Sequence, residues 1–159
     1  MANRPITVNM DFDLKKISLD LSKELNLASG MVIKDISDKN KSGVDIHGQK
    51  LPALKKSTIK AKQKRNAPHP SRALFDTGRM VGKGSVKGTG GRGAYLSDRA
   101  SKAKQVATIS VAKNREDIGA YHNEGDGVPK REWFGISKKA EKDIVRMVEL
   151  RIQEMIRRA

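Results

Sequence analysis

Two stretches of the chain, one towards each end, repeat apolar residues with the period of an α-helix. Within residues 11–40 the apolar positions lie three or four residues apart, so a helix carries them on one face. Residues 137–158 show the same spacing, and the hydroxyl of Ser137 is a suitable N-cap for that helix. The two predicted faces are Leu14, Ile17, Leu21, Leu25, Ala28, Val32 and Ile36, and then Ile144, Val148, Ile152, Met155 and Ile156. Both are expected to pack on a core, and the first helix could also pack against a neighbouring subunit.

The region between these helices has strand patterns and a glycine-rich stretch. Residues 105–112 (QVATISVA) are rich in β-branched residues and place Val106, Thr108 and Ser110 on one face and Ala107, Ile109 and Val111 on the other. This predicts a strand, and residues 94–97 (AYLS) are a candidate partner. Seven glycines within residues 78–93 indicate a loop, with a short strand that includes Val81, Ser85 and Val86. The chain is therefore predicted to be one α+β domain over residues 1–159, in which residues 77–112 supply a small antiparallel sheet that packs with both helices.

Positive charge is concentrated in the middle of the chain. The net charge is +15, and residues 46–97 carry twelve basic residues and one acid. A short helix over 58–65, capped by Ser57 and stopped by Pro68 and Pro70, is predicted within an extended basic arm over residues 41–76. Because apolar residues make up only 36% of the chain, part of it is expected to gain order against a partner. The residues predicted to meet an acidic protein or DNA are Lys55, Lys56, Lys60, Lys62, Lys64 and Arg65.

Motifs for catalysis, metal or cofactor binding are weak. The chain has no cysteine, and none of its three histidines is paired with another at helical spacing, so no metal site is predicted. Residues 88–93 (GTGGRG) match a dinucleotide-binding pattern but lack its strand–helix frame, so no cofactor is predicted. His122 and Glu124 leave a hydrolase as a weak alternative. No apolar run approaches the roughly 18 residues of a membrane span, so no membrane partner is expected.

A non-specific nucleic-acid-binding protein is the main alternative suggested by the charge. The basic arm could neutralise phosphates, with an affinity that falls steeply as salt rises. Single-strand binding would need aromatic platforms, and residues 46–97 offer only Phe75 and Tyr95. Sequence-specific recognition is therefore not predicted.

Three segments together resemble a known family. They are SGVDIHGQKLPALKKSTIKAKQK (42–64), RALFDTGRM (72–80) and IGAYHNEGDGVPKREWFGIS (118–137). In this order they are similar to segments of the phage virion morphogenesis family, which includes tail-completion proteins of tailed phages. The resemblance covers roughly residues 40–140, and both flanking helices fit the family's layout.

The resemblance implies a structural role without catalysis. Members act late in virion assembly, at the neck or tail, and related neck proteins form rings that are commonly hexameric. The expected partners are further copies of the chain and the neighbouring connector, head-closure and tail-terminator proteins, with non-specific contact to packaged DNA as an additional expectation. The expected location is the neck or tail of the virion, and the host cytoplasm during assembly.

Under this interpretation residues 118–136 form an assembly segment. Tyr121 and His122 would end a short element and help to fix a turn at Gly125. Trp133 and Phe134 supply large apolar area and Arg131 supplies a planar donor fork. Trp, Tyr and Arg are the residues that most often anchor protein interfaces. The alternative is that Trp133 and Phe134 fill the core beneath the last helix, and at least one of them is expected to do so. His122 is expected to be a structural histidine.

Overall fold

The computed structural model describes residues 6–7, 20–67, 69–74, 85–86, 95–111 and 116–158. These residues form an α+β fold, which confirms the predicted class. No helix in this described part is both long and apolar enough to cross a membrane. The elements in chain order are β1 (Ile6–Thr7), α1 (Ser22–Ser42), α2 (Lys56–Lys64), β2 (Ser85–Val86), β3 (Tyr95–Asp98), β4 (Thr108–Val111), α3 (Glu116–Glu124) and α4 (Lys138–Arg158).

Helix α1 carries the apolar face that its spacing predicted. The five members of that face from Leu21 to Ile36 are all buried. The helix begins at Ser22, and the predicted turns over residues 11–19 lie outside the described residues. It ends where Gly43 adopts a left-handed conformation with φ 73° and donates its N–H to the Asn40 carbonyl. Glycine adopts this conformation without a Cβ penalty, so it ends the helix cleanly.

Helix α4 begins as predicted, because the Ser137 hydroxyl accepts a hydrogen bond from the Ala140 N–H at 3.1 Å. Val148 is buried, and Ile144, Ile152 and Met155 pack at the edge of the core. Ile156 is 59% exposed, so its predicted burial is wrong. Side chains spaced four residues apart do not stay in line along a helix. Over the eight residues from Val148 to Ile156 their directions differ by about 80° around the helix axis.

The sheet has the strand order β1-β4-β3-β2. Strands β3 and β4 pair antiparallel, with Tyr95 opposite Val111 and Asp98 opposite Thr108, which confirms the predicted partnership of these two segments. β1 adds antiparallel to β4, whereas β2 adds parallel to β3, so the prediction of a purely antiparallel sheet is corrected. β4 begins at Thr108, later than predicted. Gln105 lies before the strand, and its side chain accepts a hydrogen bond from the Leu21 N–H.

Two apolar clusters form the core. One lies between α1 and α4 and joins Leu21, Leu25 and Val148 with Ala100 from the segment after β3. The other lies where α1 meets the sheet and three long connections, and it is built from Val32, Ile36, Leu51, Leu74, Tyr95, Val111 and Trp133. The second cluster therefore gathers residues from widely separated parts of the chain, and it supports the candidate site.

Candidate assembly site

A tight hairpin follows α1 and starts the candidate site. The Asp45 carboxylate accepts hydrogen bonds from the N–H groups of His47 and Gln49 at 2.9 and 2.8 Å. Val44 and Lys50 form a single antiparallel bridge across the turn. Short acidic side chains commonly stabilise turns in this way. The hairpin returns the chain to the core at Leu51, so the start of the predicted basic arm is a packed element.

The hairpin lies against the segment that precedes α4. The Ile46 N–H donates to the Glu132 carbonyl at 2.9 Å, and His47 Nε2 lies 2.9 Å from Glu132 Oε2. Lys130 Nζ lies 2.5 Å from the other carboxylate oxygen. Hydrogen bonds from Lys130 and then His47 lower the pKa of the Glu132 carboxyl, so it is ionised at neutral pH. The contacts from Ile46 and His47 hold Glu132 against the hairpin, and Lys130 completes the pairing of its carboxylate.

Arg131 is a buried clamp between two distant parts of the chain. Its side chain is almost fully enclosed. Nε and Nη2 donate to the Pro52 carbonyl at 3.3 and 3.2 Å, and Nη1 donates to the Pro129 carbonyl at 3.2 Å. Nη1 also lies 3.3 Å from Nδ1 of His122. Only a planar guanidinium with several fixed donors can satisfy these acceptors together.

His122 is a neutral acceptor in this arrangement. Burial, and then the charge of Arg131, lower its pKa below the ordinary value of 6.5. Nδ1 faces the guanidinium, so it accepts the hydrogen bond and the ring proton lies on Nε2. Glu124, two residues further on, is exposed. The expectation of a structural histidine agrees with these contacts.

Trp133 lies in the core. Only 1% of it is exposed, and its indole N–H donates to the Gly119 carbonyl of α3 at 3.0 Å. Its ring packs against Phe134 at 5.6 Å and Tyr95 at 6.1 Å between centroids, near the optimum for aromatic pairs. Burial raises the pKa of the Tyr95 phenol to about 12, so it stays neutral. The expectation that at least one of Trp133 and Phe134 fills the core is therefore met.

The turn after α3 sets the position of the clamp. Gly125 has φ 84° and donates its N–H to the Tyr121 carbonyl at 2.9 Å, which agrees with the predicted turn. A Cβ at Gly125 would lie 2.9 Å from the Cβ of Lys130, so the chain passes too close for a side chain. The Arg131 N–H then donates to the His122 carbonyl at 2.6 Å. The turn thus folds residues 129–131 back onto α3.

The five predicted assembly residues lie together, but they do not share one surface. Arg131 and Trp133 are buried within the chain and Phe134 is half-buried, so the prediction that all of them contact a partner is corrected for the first two. Tyr121 is 50% exposed, and Ile118, three residues earlier on α3, is 46% exposed. Residues three apart lie on one helix face. Ile118 had no distinguishing signal in the sequence, because a lone isoleucine in a helix is usually buried.

Helix α2 presents most of the predicted basic residues to solvent. Lys55, Lys56, Lys60, Lys64 and Arg65 are exposed. Lys62 is different: only 6% of it is exposed, and its ammonium donates to the Arg72 carbonyl at 2.9 Å. Its aliphatic stem packs while its charged end meets a carbonyl. The prediction that Lys62 meets a partner is therefore wrong.

The N-terminus of α2 also differs from the prediction. The helix begins at Lys56, so Ser57 lies inside it, and the N-cap is Lys55 without a side-chain hydrogen bond. The rest of the predicted basic arm returns to the core at Leu74, whereas Phe75 and Asp76 lie outside the described residues. The described part of residues 41–76 is thus anchored at both ends and exposes a basic helix between them.

Comparisons with protein-family models, with curated proteins and with solved structures gave no match to this chain.

Proposed function

We propose that this chain is a structural protein of the phage neck or tail, which completes the joining of head and tail through protein–protein contacts and has no catalytic role. The order of the three resembling segments in the sequence is the first support. The second is that these segments meet in space. Leu51, Leu74 and Trp133, one from each segment, belong to the same buried cluster.

This convergence carries the proposal. Segments that recur together in a family are expected to hold one site together. Here the carbonyl of Pro52 in the first segment accepts two hydrogen bonds from Arg131 in the third, and the Ile46 N–H donates to Glu132. The resembling residues therefore build the framework on which an assembly surface is presented.

The surface presented by this framework is the outer face of α3 together with the basic face of α2. Ile118 and Tyr121 offer an exposed apolar pair, and tyrosine is a frequent anchor of interfaces. The exposed lysines of α2 suit the acidic rim of a neighbouring neck or tail protein. We propose that these faces contact adjacent subunits of a ring, commonly hexameric in related proteins, in which head-to-tail contacts close when the rotation permits.

Deletion of the gene from its phage, followed by complementation with variants, tests the role. Loss of the protein should leave filled heads and unattached tails in electron micrographs, and the wild-type gene should restore infectious particles. Tyr121→Asp should fold normally and fail to complement, because it places a charge in the centre of the contact. Ile156→Asp is the matched control, since Ile156 is similarly exposed on another helix. Joined, infectious virions in the absence of the protein would refute the proposal.

Non-specific nucleic-acid binding is the second candidate, and the exposed basic face of α2 favours it. Lys56, Lys60 and Lys64 follow one another at four-residue spacing, so they lie along one side of the helix where they could follow a phosphate backbone. The paired variant Lys60→Ala/Lys64→Ala should lower the slope of log affinity against log salt by about 1.8 if each lysine neutralises one phosphate. A double variant of two exposed lysines on α4, Lys138→Ala/Lys142→Ala, is the control. Binding that ignores salt, or no binding, would eliminate this function.

A further inference from the structure

An open groove of about 460 Å³ runs along the outer side of α1 and α4. Its floor is formed by Leu27, Met147 and Leu150. Leu27 is 58% exposed and Leu150 is 52% exposed, although both lie beside a well-packed helix pair. Two large aliphatic side chains exposed side by side in one groove mark a contact surface more often than isolated ones do.

The charges around this groove differ from those of the rest of the molecule. The chain as a whole has a net charge of +15, which opposes contact between two copies. The groove is lined by three bases and three acids, so it has no net charge. A nucleic acid or a strongly acidic partner gains little at such a surface, whereas a second copy of the chain meets less repulsion there than at the basic face of α2. The charged residues are Lys23, Glu24, Asp143, Arg146, Arg151 and Glu154.

The exposed side of α4 is also complementary to itself. Arg146, Leu150 and Glu154 are spaced four residues apart, are all exposed and form one row on the helix. If two copies of α4 cross antiparallel with a two-fold axis at Leu150, leucine meets leucine at the centre. Arg146 of each copy then meets Glu154 of the other, so the pairing is satisfied twice by a single symmetry operation.

We propose that this groove is an isologous dimer contact, in which the α1–α4 faces of two copies of the chain pack around Leu150. The contact is separate from the head-to-tail contacts of the proposed ring and does not depend on the proposed function. Leu27 and Met147 extend its apolar centre, and the flanking charges fix the relative orientation of the two copies. Within one chain Glu154 also lies 3.4 Å from Arg151, but an exposed pair of this kind contributes little by itself.

Sedimentation velocity of the full-length protein over a range of concentrations tests the dimer. Leu150→Asp should weaken dimerisation by roughly 100-fold, because each dimer loses two buried leucines and gains two charges at its centre. Val145→Asp is the matched control: Val145 is 50% exposed on the same helix but does not line the groove, so its variant should dimerise like the wild type. Circular dichroism should show that both variants keep the helical content of the wild type.

A charge swap tests the two-fold arrangement itself. Arg146→Glu and Glu154→Arg should each weaken dimerisation by about tenfold, because each places like charges opposite one another. The double variant should return to within about threefold of the wild type, since the pairs are re-formed with opposite polarity. A wild-type protein that remains monomeric throughout, or a double variant that is as weak as the single ones, would overturn the proposal. Association that is lost in Val145→Asp as well would also overturn it.

Discussion

The close approach of Gly125 to Lys130 makes the turn after α3 unusually sensitive to a single methyl group. Gly125 and Gly127 both have positive φ, of 84° and 65°. A Cβ at Gly125 would lie 2.9 Å from the Cβ and 3.1 Å from the Cα of Lys130, whereas at Gly127 nothing lies within 4 Å. Comparing alanine substitutions at Gly125 and Gly127 therefore separates the free-energy cost of the backbone conformation from that of a steric clash.

Three contributions determine how much each alanine variant lowers the free energy of unfolding. Alanine at positive φ costs roughly 1–2 kcal/mol. The reduced freedom of the unfolded chain returns about 0.4–1 kcal/mol of this. Gly125→Ala additionally pushes against backbone atoms of Lys130, which cannot rotate away, and overpacking of this kind costs about 1–3 kcal/mol. Gly125→Ala should therefore lower the free energy of unfolding by about 1–3 kcal/mol more than Gly127→Ala.

Urea unfolding followed by tryptophan fluorescence measures this difference. Trp133 is the only tryptophan in the chain and is almost fully buried, so its emission reports the packing of the site itself. Equal slopes against urea in the two variants would show that the folded and unfolded states are comparable. If Gly125→Ala and Gly127→Ala differ by less than about 0.5 kcal/mol, the close approach to Lys130 does not constrain this turn.

Three further changes test the clamp and its neighbours. Arg131→Met should destabilise the protein by about 2 kcal/mol, because two carbonyls lose their donors and relief from burying the charge offsets only part of that loss. The control, Arg157→Met at the exposed end of α4, should change the unfolding free energy by less than about 0.5 kcal/mol. An unchanged stability in Arg131→Met would contradict the role given to the clamp. Because the pKa of His122 is lower in the folded protein than its ordinary 6.5, the unfolded chain binds more protons as pH falls through 6.5, so stability should decline below that pH. In His122→Asn, the Oδ1 atom can replace Nδ1 as the acceptor, so thermal unfolding should depend less on pH between 7 and 5. This is roughly the range in which a histidine of lowered pKa titrates. An unaltered pH dependence would exclude His122 as its source. Trp133→Phe should cost about 2 kcal/mol in chemical unfolding, through lost volume and the loss of the indole hydrogen bond to the Gly119 carbonyl. Near-wild-type stability in this variant would disprove that role.

The parts of the fold that the sequence predicted are those governed by local periodicity. The apolar face of α1 and the Ser137 cap of α4 depend only on nearby residues, and both are found in the structure. β1 is different, since a strand of two residues has no period to detect and exists only through its pairing with β4. Such elements cannot be recognised before their partners are known.

The sequence predicted where the candidate site lies, but not which of its side chains are exposed. Residues 118–136 do form one compact unit, yet Arg131 and Lys62 are buried although charged side chains usually face solvent. Each is buried because backbone carbonyls meet its donors, namely those of Pro52 and Pro129 for Arg131 and that of Arg72 for Lys62. The carbonyls that accept from a buried charged side chain are brought to it by the tertiary structure. Residue spacing in the sequence therefore cannot predict that such a side chain is buried.

The hydrogen bonds between Arg131 and Pro52 join positions 79 residues apart. One side chain therefore bridges the two ends of about half of the 159-residue chain. Loss of the guanidinium would therefore open one link across this span, while the buried contacts of Leu74, Tyr95 and Val111 would still hold its middle to the same core.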